Sequence, residues 1–80
     1  MPTIQVLYFA GIREQLGRDN ETISTPHSTP REVWRELCKK ESIDIEEKSL
    51  RAAINEEFAE WDDTLKDGDL LVFIPPVAGG

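Results

Sequence analysis

Alternating apolar and polar residues open the chain. Ile4, Val6 and Tyr8 fall on one face of an extended segment, with Leu7 and Phe9 on the other; this spacing of β-branched and aromatic residues predicts a strand over residues 4–9. Residues 10–16 fit a short helical turn, the run Gly17-Arg18-Asp19-Asn20 fits a turn, and residues 21–25 read as a second strand closing an N-terminal hairpin. The sharpest local signal follows. Thr29 suits the cap of a helix, Pro30 its first turn, and Glu32 the third position of a capping box. Val33, Trp34, Leu37 and Cys38 then recur as one apolar stripe, while Arg31, Arg35, Glu36, Lys39 and Lys40 stay on the wet side, so a helix is expected to end near Glu41. Residues 42–49 are polar apart from Ile43 and Ile45 and read as a connecting loop. Two short strands, 50–54 and 57–61, flank a tight turn at Asn55-Glu56, and Lys66-Asp67-Gly68-Asp69 introduces a last strand over 70–74.

The order β, β, α, β, β, β, with the most apolar strands at the two ends, predicts an α+β roll in which one helix packs on one face of a mixed sheet of four to five strands. A crossover containing the helix lets the first and last strands pair in parallel at the centre. Residues 1–74 form the single domain that so short a chain can support, and residues 75–80 are a tail.

The last strand is more apolar than one helix requires. Leu71 and Phe73 serve the helix side, which turns Leu70, Val72 and Ile74 to the outer face, where Phe9 and Phe58 also fall. Such residues either fill a central strand buried on both sides or form a patch for a partner; the sequence favours the patch. Beyond it the chain reads Pro75-Pro76-Val77-Ala78-Gly79-Gly80. The prolines hold the backbone extended and the glycines present no side chain. The six residues reach roughly 20 Å when extended, enough to enter a partner's buried pocket. The reactive group of such an end is the α-carboxylate of Gly80. Transfer to ATP makes it an acyl adenylate, and attack by sulfur on that bare carbonyl gives a thiocarboxylate.

Charge narrows the partners. Sixteen acidic residues against nine basic give a net charge of −7, which disfavours nucleic acid and anionic lipid and favours a partner with a basic docking face. No run approaches the length of a membrane span, and residues 1–5 lack the features of a signal peptide, so a soluble, cytoplasmic protein is expected. Cys38 is the lone cysteine, so stability must come from packing. On the apolar stripe it reads as a small buried hydrophobe rather than a persulfide carrier. His27 lies in a loop without a second His or Cys beside it and reads as solvated, with no metal expected. Glu56, Glu57, Glu60, Asp62 and Asp63 match no calcium loop and read as wet surface.

Val6-Leu7-Tyr8-Phe9-Ala10 with Ile12-Arg13-Glu14, together with Asp67-Gly68-Asp69 and the ending Pro75 to Gly80, resembles the small-subunit family of molybdopterin synthase across the whole chain. The resemblance implies a ubiquitin-like β-grasp fold. It implies that an adenylating enzyme related to ubiquitin activators charges Gly80 with ATP and that a sulfur donor protein converts it to the thiocarboxylate. The large subunit of the synthase then receives the tail, Pro75, Pro76, Val77, Ala78 and Gly79 leading Gly80 in, and sulfur passes to a cyclic pyranopterin precursor. By the same resemblance Phe9, Phe58 and Ile74 occupy apolar docking positions, with Val72 on the same face, and Arg13 is a polar contact beside them; many members carry an aromatic where this chain has Ile74. The implied assembly is a heterotetramer in which this chain is non-catalytic on its own and binds no cofactor permanently. Rival readings are a sulfur carrier of the thiazole pathway, whose proteins are usually shorter and lack Pro75-Pro76; a ubiquitin-like modifier joined to lysines through Gly80; and a plain interaction domain. An independent enzyme is disfavoured, because no nucleophile and base are paired.

Overall fold

The first and last strands start from a common turn. The computed structural model describes residues 2–74, the side chain of Ala10 excepted. Gly68, at φ 88°, closes the turn that precedes the last strand, a left-handed conformation that glycine adopts without strain. Its amide donates to the Thr3 carbonyl at 2.8 Å, the Thr3 amide donates to Asp67 Oδ1 at 2.7 Å, and the Gln5 amide donates to the Asp69 carbonyl at 3.0 Å. The expected central pairing follows: β1 (Thr3–Tyr8) runs parallel to β5 (Leu70–Ile74), Leu7 beside Val72 and Tyr8 beside Phe73. Both strands end on the same side of the molecule, at Tyr8 and Ile74, so the strand expected over 4–9 stops one residue short of Phe9.

Around this pair the sheet is completed by β2 (Asn20–Ser24), β3 (Arg51–Ile54) and β4 (Glu57–Ala59), in the order β2-β1-β5-β3-β4. A short helix α1 (Ala10–Leu16) follows β1, and the main helix α2 (Pro30–Glu41) crosses one face of the sheet. This is the predicted α+β roll with five strands. Helix α2 begins as its sequence indicates, the Thr29 hydroxyl accepting from the Glu32 amide at 3.3 Å. The Glu32 carboxylate, however, accepts from the Ser28 amide at 3.2 Å and the Thr29 hydroxyl at 3.1 Å, one residue earlier than an ordinary capping box. Among the described residues, no helix is long and apolar enough to cross a membrane.

The core lies between α2 and the inner face of the sheet. Ile4, Val6, Tyr8, Ile12, Val33, Trp34, Leu71 and Phe73 are all buried. Phe73 is at the centre, its ring 4.9 Å from that of Trp34 and 6.0 Å from that of Trp61. The place of Trp61 corrects one expectation. The strand predicted over 57–61 stops at Ala59, because the Asp63 amide turns back to the Glu60 carbonyl at 3.1 Å and the Glu60 amide donates to Asp63 Oδ2 at 2.9 Å. That turn swings Trp61 inward onto Phe73, where it covers more apolar surface than it would on an edge strand. The first two strands begin one residue earlier than predicted, and the connecting loop contains a short 3-10 helix, Glu47–Ser49.

Polar ties close the end of the roll near α1. The Tyr8 hydroxyl donates to the Glu21 carboxylate, and Arg18 donates to the same carboxylate at 2.9 Å and to Glu41 at 3.3 Å. Burial favours the neutral form of Glu21, but the Tyr8 and Arg18 hydrogen bonds outweigh it and hold the carboxyl below its ordinary pKa. Burial, reinforced by Glu21, pushes the Tyr8 phenol well above its ordinary value, so it remains a donor.

Candidate docking face and tail exit

Side chains directly opposite each other in adjacent strands share a face, so the register defines what the outer side of the sheet presents. One row runs Asn20, Leu7, Val72, Ala53, Phe58 across all five strands. The row nearer the start of β1 and β5 holds Thr22, Gln5 and Leu70, and beyond it lie Thr3 and Ser24. The row nearer their ends pairs Ile74 with Arg51, and Phe9 follows Tyr8 just past β1. The outer face therefore grades from polar at the turn end to apolar at the end from which the chain leaves Ile74.

Exposure sorts the apolar half. Phe9 is 45% exposed and Phe58 66%. Leu7 and Ile74 are half-buried. Val72, expected to be a partner contact, lies on the predicted face but is only 8% exposed. It sits on the central strand between Leu7 and Ala53, so it forms the floor of the patch rather than a projecting contact. Arg13 is exposed on α1, one turn after Phe9, whose carbonyl accepts from the Ile12 and Arg13 amides. The structure thus brings Phe9 and Ile74 together at the ends of β1 and β5, places Phe58 on the same face two strands away beside Arg51, and leaves Arg13 to one side. Pro75, Pro76, Val77, Ala78, Gly79 and Gly80 lie outside the described residues.

A family model described as the ThiS family matches residues 6–80. The chain belongs to the ThiS family. It is 32% identical over 80 residues to the molybdopterin synthase sulfur carrier subunit of Escherichia coli, covering 96% of this chain and 99% of that protein. A Pyrococcus furiosus protein assigned as molybdopterin converting factor subunit 1 superposes with a TM-score of 0.78 at 31% identity, covering 96% of this chain and all of that one. In Helicobacter pylori, a chain of the complex of subunits 1 and 2 of the molybdopterin-converting factor superposes with a TM-score of 0.69 at 26% identity, covering 98% and 99% of the two chains. The family and the β-grasp fold inferred from the two ends of the sequence are therefore those of its relatives.

Other residues of this ThiS family member fall outside the face. Cys38 is half-buried on α2, and burial, then the nearby Glu47 carboxylate, push its thiol up, so the thiolate is suppressed. His27, expected to be solvated, instead meets the Glu36 carboxylate through Nε2. One residue of the face escaped sequence reasoning. Arg51 looks like the polar start of a strand, yet its guanidinium lies 4.3 Å from the centre of the Phe58 ring. The signal was available in the Asn55-Glu56 turn, which makes Ala53 oppose Phe58 and Arg51 its diagonal neighbour.

Proposed function

We propose that this chain is the sulfur carrier subunit of a molybdopterin synthase, and that the α-carboxylate of Gly80 is its working group. The observation that carries this reading is the apolar end of the outer face of the sheet: Phe9 and Ile74 stand where β1 and β5 end, Ile74 directly preceding Pro75 in the sequence, and Phe58 lies exposed on the same face. A partner seated on that face contacts Ile74, the residue from which the sequence continues into Pro75 to Gly80. Support comes from the family match, which runs to residue 80.

The chemistry follows from the terminal glycines. The carboxylate attacks the α-phosphate of ATP on an adenylating enzyme, pyrophosphate leaves, and the acyl adenylate forms. Sulfur presented as hydrosulfide by a donor attacks the carbonyl, the carbon–oxygen bond to phosphate breaks, and AMP leaves with the thiocarboxylate in place. On the large subunit the sulfur bonds to a carbon of the cyclic pyranopterin precursor as a carbon–oxygen bond at that carbon breaks and the oxygen leaves; water then hydrolyses the resulting thioester, leaving the sulfur on the pterin and returning Gly80 to its carboxylate. This chain's own part is to dock, to extend and to keep the carbonyl unhindered; it is a carrier, and the catalytic groups belong to its partners.

Reconstitution tests the reading. The thiocarboxylated chain, the large subunit and the pyranopterin precursor are expected to yield the dithiolene product, and a variant lacking Gly79 and Gly80 is expected to yield none while keeping its circular dichroism spectrum. Thiazole formation instead, or lysine conjugates without dithiolene, would overturn it.

A further inference from the structure

The outer face of the sheet differs from the rest of this acidic chain. Its rows hold Thr3, Gln5, Leu7, Asn20, Thr22, Ser24, Arg51, Ala53, Phe58, Leu70, Val72 and Ile74, without one carboxylate, although sixteen of the 80 residues are acidic. The two strand glutamates aligned in the inner rows, Glu21 and Glu57, oppose Val6 and Ile54. Arginine pairing shows the same division. Arg18, Arg31 and Arg35 are engaged by Glu21, Glu41, Glu47 and Asp62. Among the described residues, Arg13 and Arg51 have no carboxylate partner, and both flank the apolar patch. Continuing the β3–β4 register would bring Glu60 opposite Arg51, but β4 ends at Ala59 and the chain turns away.

Arg51 is also held in place. It opposes Ile74 across the sheet and stacks over Phe58. A guanidinium whose face is occupied by a ring still presents its N–H edges, the geometry that binds a carboxylate through two hydrogen bonds. We propose that Arg51, steadied on Phe58, is a specificity contact that reads a carboxylate on the rim of the large subunit's docking surface. This rests on the docking role given to the face above. It also revises the expectation of a basic docking face: the net charge of −7 describes the whole surface, whereas the contacting face is locally cationic.

The test is binding of the purified large subunit to the wild-type chain and to Arg51→Gln, Arg51→Leu and Arg51→Glu at low and high salt. Arg51→Gln is expected to weaken binding about 5-fold and Arg51→Glu about 30-fold or more at low salt, chiefly through slower association, with both losses shrinking near ~0.5 M salt. The melting temperatures should stay near wild type, because Arg51 is exposed. Wild-type affinity for Arg51→Glu at low salt would overturn the proposal. So would a salt-independent loss that Arg51→Leu restores, since Arg51 would then act only by packing on Phe58. Failure of the wild-type chain itself to bind would sink the docking reading as well, an outcome distinct from either.

Discussion

Phe73 and Ile74 are neighbours in sequence and opposites in surroundings. Phe73 is fully buried between Trp34 and Trp61 on the inner face, whereas Ile74 is half-buried on the outer face beside Arg51. The same strand thus serves two ends. Its inner residues hold helix to sheet, and its outer residues line the face proposed for docking. Period-two alternation makes this separation possible, because a substitution on one face leaves the packing of the other almost untouched.

The strongest way to break this comparison is Phe73→Ala. Removing the ring should cost about 3–5 kcal/mol through lost burial and the cavity left behind, a large share of a small domain's stability. Chemical denaturation should show the midpoint collapse, and a near-native midpoint would erase the distinction between faces. Next in size is Phe9→Asp, expected to weaken binding of the large subunit by about 2–4 kcal/mol with little change in melting temperature, as titration calorimetry and thermal unfolding together would show. Loss of the fold would instead assign Phe9 to the core.

Two smaller effects sharpen the picture away from the face. Glu21→Gln should cost about 1–2 kcal/mol at neutral pH, by weakening the ties to Tyr8 and Arg18. Because folding lowers the Glu21 pKa, its contribution is present above the ordinary glutamate range and is lost as pH falls through the folded value. Unfolding curves from pH 7 to about pH 3 should therefore fall less steeply for Glu21→Gln than for the wild type; parallel curves would remove this link. Smallest is Glu56→Gly. Asn55 and Glu56 both have positive φ, at 53° and 72°, in the two-residue turn between β3 and β4. Glycine at the second position relieves strain and should raise stability by about 0.5–1 kcal/mol, a rise of several degrees in melting temperature; a fall would show that Glu56 makes a contact worth more than the strain.

Much of this arrangement was legible in the residues because local and long-range signals agreed. Thr29-Pro30 starts a helix at the expected place, and the alternation in residues 4–9 and 70–74 assigns the correct faces to Ile4, Val6, Tyr8, Leu71 and Phe73. What was missed depended on tertiary contact. Trp61 continues an alternating pattern, but the turn that Asp63 closes on Glu60, together with the Phe73 ring beneath Trp61, takes the chain inward. Val72 reads as an outward residue and is one, but burial on a central strand depends on its neighbours Leu7 and Ala53. Arg51 carries no signal of its own; its role emerges when the hairpin register places it over Phe58.

The central claim is that Gly80 carries sulfur on its carbonyl. Intact-protein and C-terminal fragment mass spectrometry, after incubation with the adenylating enzyme, ATP and sulfide, test it directly. One oxygen replaced by one sulfur at Gly80, dependent on ATP, is the predicted result. An unchanged C-terminus, or sulfur found on Cys38 instead, would contradict it.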